Sequence, residues 1–280
     1  MSHNKLHFDT IDYWSEIKLN IVRDYATQYS KIFWGKKQES LYHVYIDAFA
    51  GPGITISKAT GEFRPGSPLN ALNVDPPFRE YHFIDINGKK VEILKSIVGS
   101  RNDVHIYAGD CNKILLEEIF PKVHYKDYRR GLCLLDPYGL HLKWEVIQAA
   151  GNMGTIDMFL NFPIMDMNRN ALWRNPDLVD KSDIKRMIAF WGDESWRNIA
   201  YKTRRTLFGT EDEKADNEVI AEEFRKRLES TANFKRVLKP MPMRNRTNAI
   251  VYYLFFASQK PVAEGIVKHI FKQYQHHRYS

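Results

Sequence analysis

Four aspartates in this chain each follow a short apolar run: Asp47 after Val44 to Ile46, Asp85 after Tyr81 to Ile84, Asp110 after Val104 to Tyr107 and the Ala108-Gly109 that follows it, and Asp136 after Leu132 to Leu135. Asp136 is followed by Pro137, Tyr138 and Gly139. A carboxylate next to a backbone carbonyl can accept both hydrogens of an aromatic amine. That favours the pyramidal, nucleophilic nitrogen, while an adjacent ring can stack on the base that carries it. Asp136, the Pro137 carbonyl and Tyr138 are therefore the candidate catalytic residues, against the plainer reading of a Pro-Tyr-Gly turn that ends a strand.

Asp47 leads into Ala48-Phe49-Ala50-Gly51-Pro52-Gly53. Gly51 and Gly53 let the backbone turn sharply and approach a ligand closely. A dinucleotide fingerprint needs a third glycine three positions beyond Gly53, and Ile56 stands there. An acid before the turn repels phosphate but suits an ammonium or ribose hydroxyls, so S-adenosylmethionine fits better than NAD or ATP. Asp85 can accept the two ribose hydroxyls and Asp110 the adenine amino group.

Each acid needs a strand to carry it. The β-branched and aromatic runs read as buried parallel strands separated by helix-length segments, and open α/β sheets bind ligands at the carboxyl ends of their strands. A fifth run, Thr155 to Phe162, closes on Asn161, Phe162 and Pro163, which could add an amide and a ring to the same pocket. Residues 10 to 34 predict an amphipathic helix through Trp14, Ile17, Ile21 and Tyr25. After the glycine turn an excursion from Ile54 to Gly66, carrying Lys58 and Arg64, is long enough to be a cover or a surface insertion. Ser67 with Pro68 predicts a capped helix start. Helices are expected at 88 to 99, 111 to 120, 142 to 150 and 262 to 274, and a hairpin from Phe234 to Pro242 and Asn248 to Ser258.

The order and wording of these motifs resemble class I S-adenosylmethionine-dependent methyltransferases. The whole chain resembles the bacterial three-Cys-motif partner family through Tyr45 to Gly53, Gly66 to Leu72, Gly109 to Asn112, Leu135 to Leu140 and Tyr252 to Ser258. The resemblance implies a Rossmann-like α/β fold, with a mostly parallel sheet, a C-terminal antiparallel hairpin and a helical insert. It also implies a neighbouring gene product bearing three cysteines. By motif, Asp47, Phe49, Gly51 and Gly53 fall in the cofactor loop, Asp85 is the ribose acid, Asp110 with Cys111 faces adenine, and Asp136, Pro137 and Tyr138 form the catalytic strand end. The last resembles the Asp-Pro-Pro-Tyr motif of exocyclic-amine methyltransferases but lacks its second proline.

The 280 residues, 44% hydrophobic, suffice for one large core with an appended subdomain. We expect a cofactor-binding core over 1–165, a helical target-recognition insert over 166–232 and a completing hairpin and helix over 233–280. Two cysteines exclude a disulfide framework or a zinc site and point to a reducing cytoplasm. The N-terminus has no apolar signal region and no stretch is long enough to span a bilayer. His276 and His277 read as a solvated tail rather than metal ligands.

A net charge of +7 invites a nucleic-acid partner, RNA or DNA, although many basic enzymes bind none. Arg169, Arg174, Lys181, Lys185, Arg186, Arg197, Lys202, Arg204 and Arg205 are interleaved with Trp173, Trp191, Trp196 and Tyr201. That mix suits single-stranded or flipped bases, and Asn161, Phe162, Arg169 and Trp173 are the candidate substrate contacts. Helical spacing also marks Trp191 as a core residue. A cytosine ring-carbon mechanism needs a thiolate in the active loop, which Cys133 and Cys111 are badly placed to supply. Two functions follow: methyl transfer to a nucleobase amino group, or a methyltransferase-like accessory protein that binds a partner.

Overall fold

In a computed structural model of the chain the described residues are 8–35, 41–206 and 209–275. His276 and His277 lie outside them. The chain forms two compact units, one of residues 1–134 with 270–277 and the other of 135–269 with 278–280.

The first unit contains β1 (Asp9–Ile11), α1 (Tyr13–Gly35), β2 (Tyr42–Asp47), β3 (Ile54–Ser57), β4 (Phe63–Pro65), α2 (Ser67–Leu72), β5 (Glu80–Asp85), α3 (Gly88–Val98), β6 (Val104–Ala108), α4 (Cys111–Ile114) and β7 (Arg129–Leu135). Its main ladder runs β7-β2-β5-β6 and every pairing is parallel. Strands buried on both faces read as continuous apolar runs, which is why these were visible in the sequence. Asp47 stands opposite Phe83 and Leu134, and Asp85 opposite Ala108, so these strand ends share one edge. Tyr45, Phe78, Tyr81 and Phe83 pack edge to face at the centre.

The expected helix over 111–120 is instead α4 followed by a π turn, Leu115–Ile119, and a 3-10 turn, Phe120–Lys122, because Pro121 cannot continue an α-helical ladder. Gly66, not Ser67, holds the cap position of α2, and no side chain caps it. The excursion from Ile54 to Gly66 is an antiparallel β3–β4 ribbon joined by β1 on its other side. Its Lys58 pairs with Asp12 at 2.6 Å and its Arg64 with Glu62 at 2.9 Å.

The second unit contains α5 (Trp144–Met153), β8 (Ile156–Phe162), α6 (Ile164–Asn170), α7 (Lys181–Trp191), α8 (Trp196–Ala200), β9 (Tyr201–Thr206), β10 (Gly209–Lys214), α9 (Asn217–Ser230), β11 (Arg236–Val237), β12 (Met241–Arg244), β13 (Ile250–Ser258) and most of α10 (Pro261–Tyr274). Here β13 pairs antiparallel with β8, β11 and β12, so the sheet is mixed rather than mostly parallel. The hairpin forms, but its first strand is split between Val237 and Met241, where Pro240 removes a ladder donor. The insert is not wholly helical: β9 and β10 make an antiparallel ribbon, as the β-prone Tyr201, Thr203 and Thr206 favour. Phe224 sits among Phe162, Phe190, Trp191 and Phe255 with ring centres 4.7–5.7 Å away.

Among the described residues no helix is long and apolar enough to cross a membrane. Gly151 of α5 lies so close to the chain that an added Cβ would sit 1.7 Å from the Ala232 carbonyl oxygen. Backbone cannot yield as a side-chain tip can. Gly151→Ala should therefore destabilise the protein by about 3 kcal/mol, read as a lower denaturant midpoint at unchanged m-value.

Candidate functional site

One set of candidate residues is built at the carboxyl edge of the parallel ladder in the first unit. The segment after Asp47 is stitched to both neighbouring strands, Ala48 N–H donating to Leu134 O at 3.0 Å and Ala50 N–H to Ile84 O at 2.9 Å. Gly51 and Gly53 then adopt φ of 63° and 82°, a left-handed conformation open to glycine and costly for other residues. The Gly51 N–H donates to Asp85 Oδ2 at 2.8 Å, and the Asn87 N–H to Asp85 Oδ1 at 2.7 Å. The Gly109 N–H donates to the Asp85 carbonyl at 3.0 Å. Asp85 thus ties together the turns that follow β2, β5 and β6. It is nine-tenths buried.

The other acids are placed differently from one another. Asp47 is fully buried and its Oδ1 accepts from the Phe49 N–H at 3.2 Å. It braces the glycine turn from beneath, which corrects the expectation of a carboxylate open to a ligand. Phe49 is half-buried and Asp110 exposed. The Asp110 Oδ1 accepts from the Asn112 N–H at 2.9 Å and the Asn112 Nδ2 at 2.8 Å, capping α4. Cys111 is buried there, and burial first, Asp110 second, pushes its thiol up to about 12. Burial also raises the Cys133 thiol, so neither cysteine offers a thiolate at neutral pH.

Two residues here were missed in the sequence. Asp9 Oδ2 lies 3.8 Å from where a Cβ on Gly51 would stand and binds Lys90 Nζ at 2.6 Å. A three-residue strand near the terminus gives no periodicity by which to find it. Ile86, next to Asp85, is 81% exposed. An apolar residue placed directly after a candidate ribose acid was the signal available in the sequence.

A second set of candidate residues lies in the second unit and begins at Asp136, directly after β7 in the chain. Asn161, near the end of β8, donates from Nδ2 to Asp136 Oδ1 at 2.8 Å and to the Pro137 carbonyl at 3.5 Å. The opposite amide orientation would set two oxygens against each other. The Asn161 amide NH2 thus lies on the two groups expected to accept from an amine. Tyr138 is 75% exposed. A Cβ on Gly139 would come within 2.8 Å of Asp166 Oδ2, so this loop accommodates only glycine without displacing a second carboxylate.

Phe162, expected to face substrate, is fully buried against Phe190, Phe224 and Phe255. Along a strand, side chains alternate between faces, so the neighbour of an inward-pointing Asn161 meets the opposite layer. Arg169 and Trp173 are both exposed, and the Trp173 Nε1 donates to the Arg169 carbonyl at 2.6 Å. The Tyr201 hydroxyl donates to the Trp173 carbonyl at 2.7 Å.

The mixed basic and aromatic insert is otherwise less open than expected. Trp191 and Trp196 are core residues. Arg186 pairs with Asp183, and Arg197 with Glu194 at 3.4 Å while lying 4.6 Å over Trp196. The side chains of Arg204 and Arg205 are outside the described residues.

No protein-family model matches the chain, and no curated protein matches it. Among solved structures it shares its fold with protein LPL1258 from Legionella pneumophila, at 11% identity over 91% of this chain and 90% of that one, with a TM-score of 0.52. It is more distantly similar to a Listeria monocytogenes protein described as an S-adenosylmethionine-dependent methyltransferase, at 10% identity over 84% and 98% of the two chains, TM-score 0.40. A Thermobifida fusca protein described as a methyltransferase has 11% identity over 88% and 80%, TM-score 0.44.

Proposed function

We propose that the chain is an S-adenosylmethionine-dependent methyltransferase acting on an exocyclic amino group of a nucleobase in RNA or DNA. The observation that carries the proposal is the bond from the Gly51 N–H to Asp85, which holds the glycine turn and the candidate ribose acid together at neighbouring strand ends. The donor set fits the cofactor. Asp85 and the exposed Asp110 are acceptors for hydroxyl and amino donors, and Ile86 offers an apolar surface. Asp85 would hold the ribose, Asp110 the adenine amino group, and the turn from Phe49 to Gly53 the amino-acid end. When bound, S-adenosylmethionine supplies a sulfonium methyl open to in-line displacement.

The chain's own part is to activate and aim the nitrogen. Asp136 and the Pro137 carbonyl accept its two hydrogens, which localises the lone pair on nitrogen, and the negative charge of Asp136 stabilises the cation that forms as the methyl arrives. An amino group takes this seat by replacing the Asn161 amide, whose own NH2 marks the positions its hydrogens would occupy. Tyr138 stacks on the base, and Arg169 and Trp173 extend the contact. Tyr138→Ala should raise the KM for nucleic acid about tenfold or more, one lost base stack, and lower kcat much less. Steady-state methyl transfer at varied nucleic-acid concentration checks this.

Transfer of a tritiated methyl group from S-adenosylmethionine to total RNA and, separately, to total DNA tests the function. Incorporation into one of them, lost on digestion to labelled methylated bases, is expected. No incorporation into either contradicts the reading. Two free buried cysteines fit a reducing cytoplasm as its compartment.

A second reading is a non-catalytic accessory protein, favoured by the Asn161 amide already satisfying the acceptor pair. Resemblance to the three-Cys-motif partners makes a three-cysteine protein its natural ligand. Cofactor binding without methyl transfer to any nucleic acid would favour it.

A further inference from the structure

We propose that the amino-terminal edge of the parallel strands in the first unit is a docking surface for single-stranded nucleic acid. It rests on the nucleobase reading above but uses none of the residues assigned there. Because β2, β5 and β7 run parallel, their first residues share an edge opposite the one that carries Asp47 and Asp85. Arg79, just before β5, donates its N–H to the His43 carbonyl at 3.0 Å, and the Tyr42 hydroxyl donates to the Arg79 carbonyl at 3.2 Å. Its guanidinium lies 4.4 Å from the ring centre of Trp34, which is 45% exposed. Two strands over, on β7, the Arg130 guanidinium lies 4.0 Å from the ring of Tyr125, itself 63% exposed. Among the described residues neither arginine has a carboxylate partner, whereas Arg129 between them is committed to Glu80.

The second observation is Tyr128. It is exposed and held at φ 55°, a left-handed conformation that costs a bulky residue roughly 1 kcal/mol or more and that glycine would adopt freely. Its backbone is fixed there by Tyr128 N–H to Tyr125 O at 3.1 Å and by Tyr42 N–H to Tyr128 O at 3.1 Å. An aromatic ring is thus presented to water at a backbone cost that its burial does not offset.

Exposed rings alternating with guanidinium groups that have no carboxylate partner among the described residues match a single strand, whose bases have π-faces and whose backbone is anionic; the Arg130 Nη1 also donates to the Arg129 carbonyl at 2.7 Å. Lys126 lies in the same loop, against Asp127. A basic and aromatic mixture is found here too, with rings that are not consumed by the core.

Fluorescence anisotropy with labelled single-stranded RNA and DNA tests the surface on the full chain. Arg79→Glu with Arg130→Glu should weaken binding at least about tenfold and reduce the slope of log K against log salt by about 1.4, two phosphate contacts at about 0.7 each. Tyr128→Gly should weaken binding about tenfold while the protein melts at the same or a higher temperature, so lost affinity cannot be ascribed to unfolding. Affinity and salt slope unchanged in both variants would overturn the proposal, as would binding of both variants to nucleic acid with only a protein partner lost. If the wild type binds and the variants do not, yet no methyl is transferred, the surface stands and the methyltransferase reading falls.

Discussion

Asp136→Asn is expected to lower methyl transfer about a hundred- to a thousandfold while leaving the affinity for S-adenosylmethionine unchanged. Asparagine has nearly the same shape, and its oxygen can still accept from Asn161 Nδ2, which Asp136 Oδ1 now does at 2.8 Å. What is lost is the charge that stabilises a developing ammonium and the second full-strength acceptor for the amine. Removing one preorganised electrostatic partner of a transition state typically costs a factor of this size. Because the interaction matters most as the methyl arrives, kcat should fall more than KM rises. Single-turnover transfer at saturating nucleic acid gives the number directly, and a variant within tenfold of wild type would remove Asp136 from the chemistry.

Asp85→Ala should weaken S-adenosylmethionine binding by about 3 kcal/mol, somewhat more than a hundredfold. Two effects combine. The ribose would lose a charged acceptor, and the Gly51 and Asn87 N–H groups would lose the carboxylate that now fixes them at 2.8 and 2.7 Å. The second effect loosens the glycine turn itself and should also lower the melting temperature, since a buried donor without an acceptor costs about 1–3 kcal/mol. Asp85→Asn retains one acceptor and separates the two: its melting temperature should recover more than its affinity. Equal affinity in wild type and Asp85→Ala would place the nucleoside elsewhere.

The strand ends were legible because chemistry and burial coincide there. A strand covered on both faces is mostly apolar, and the carboxyl-terminal half of β2, β5 and β7 is an apolar run that stops at an aspartate, although His43 and His82 are buried earlier in β2 and β5. Function was harder to read than position. Asp47 and Asp85 look alike in sequence, yet one is sealed under the turn and the other bridges three turns, a distinction set partly by partners 24 and 34 residues away. Phe162 shows the complementary failure. Its place beside Asn161 suggested a shared pocket, but alternation along β8 turns the two side chains to opposite faces. The same holds for Trp196, whose polar flanks hid a wholly buried ring. Short strands such as β1, β4 and β11 carry too few residues for any period to show.

The core of this account is that the carboxyl edge of the first unit selects a positively charged nucleoside over a phosphorylated one. Calorimetric titration of the intact protein with S-adenosylmethionine, then with ATP and NAD under the same conditions, examines that choice directly. One-to-one binding of S-adenosylmethionine with no heat from ATP or NAD is the predicted result; binding of ATP or NAD, or of none of the three, would contradict it.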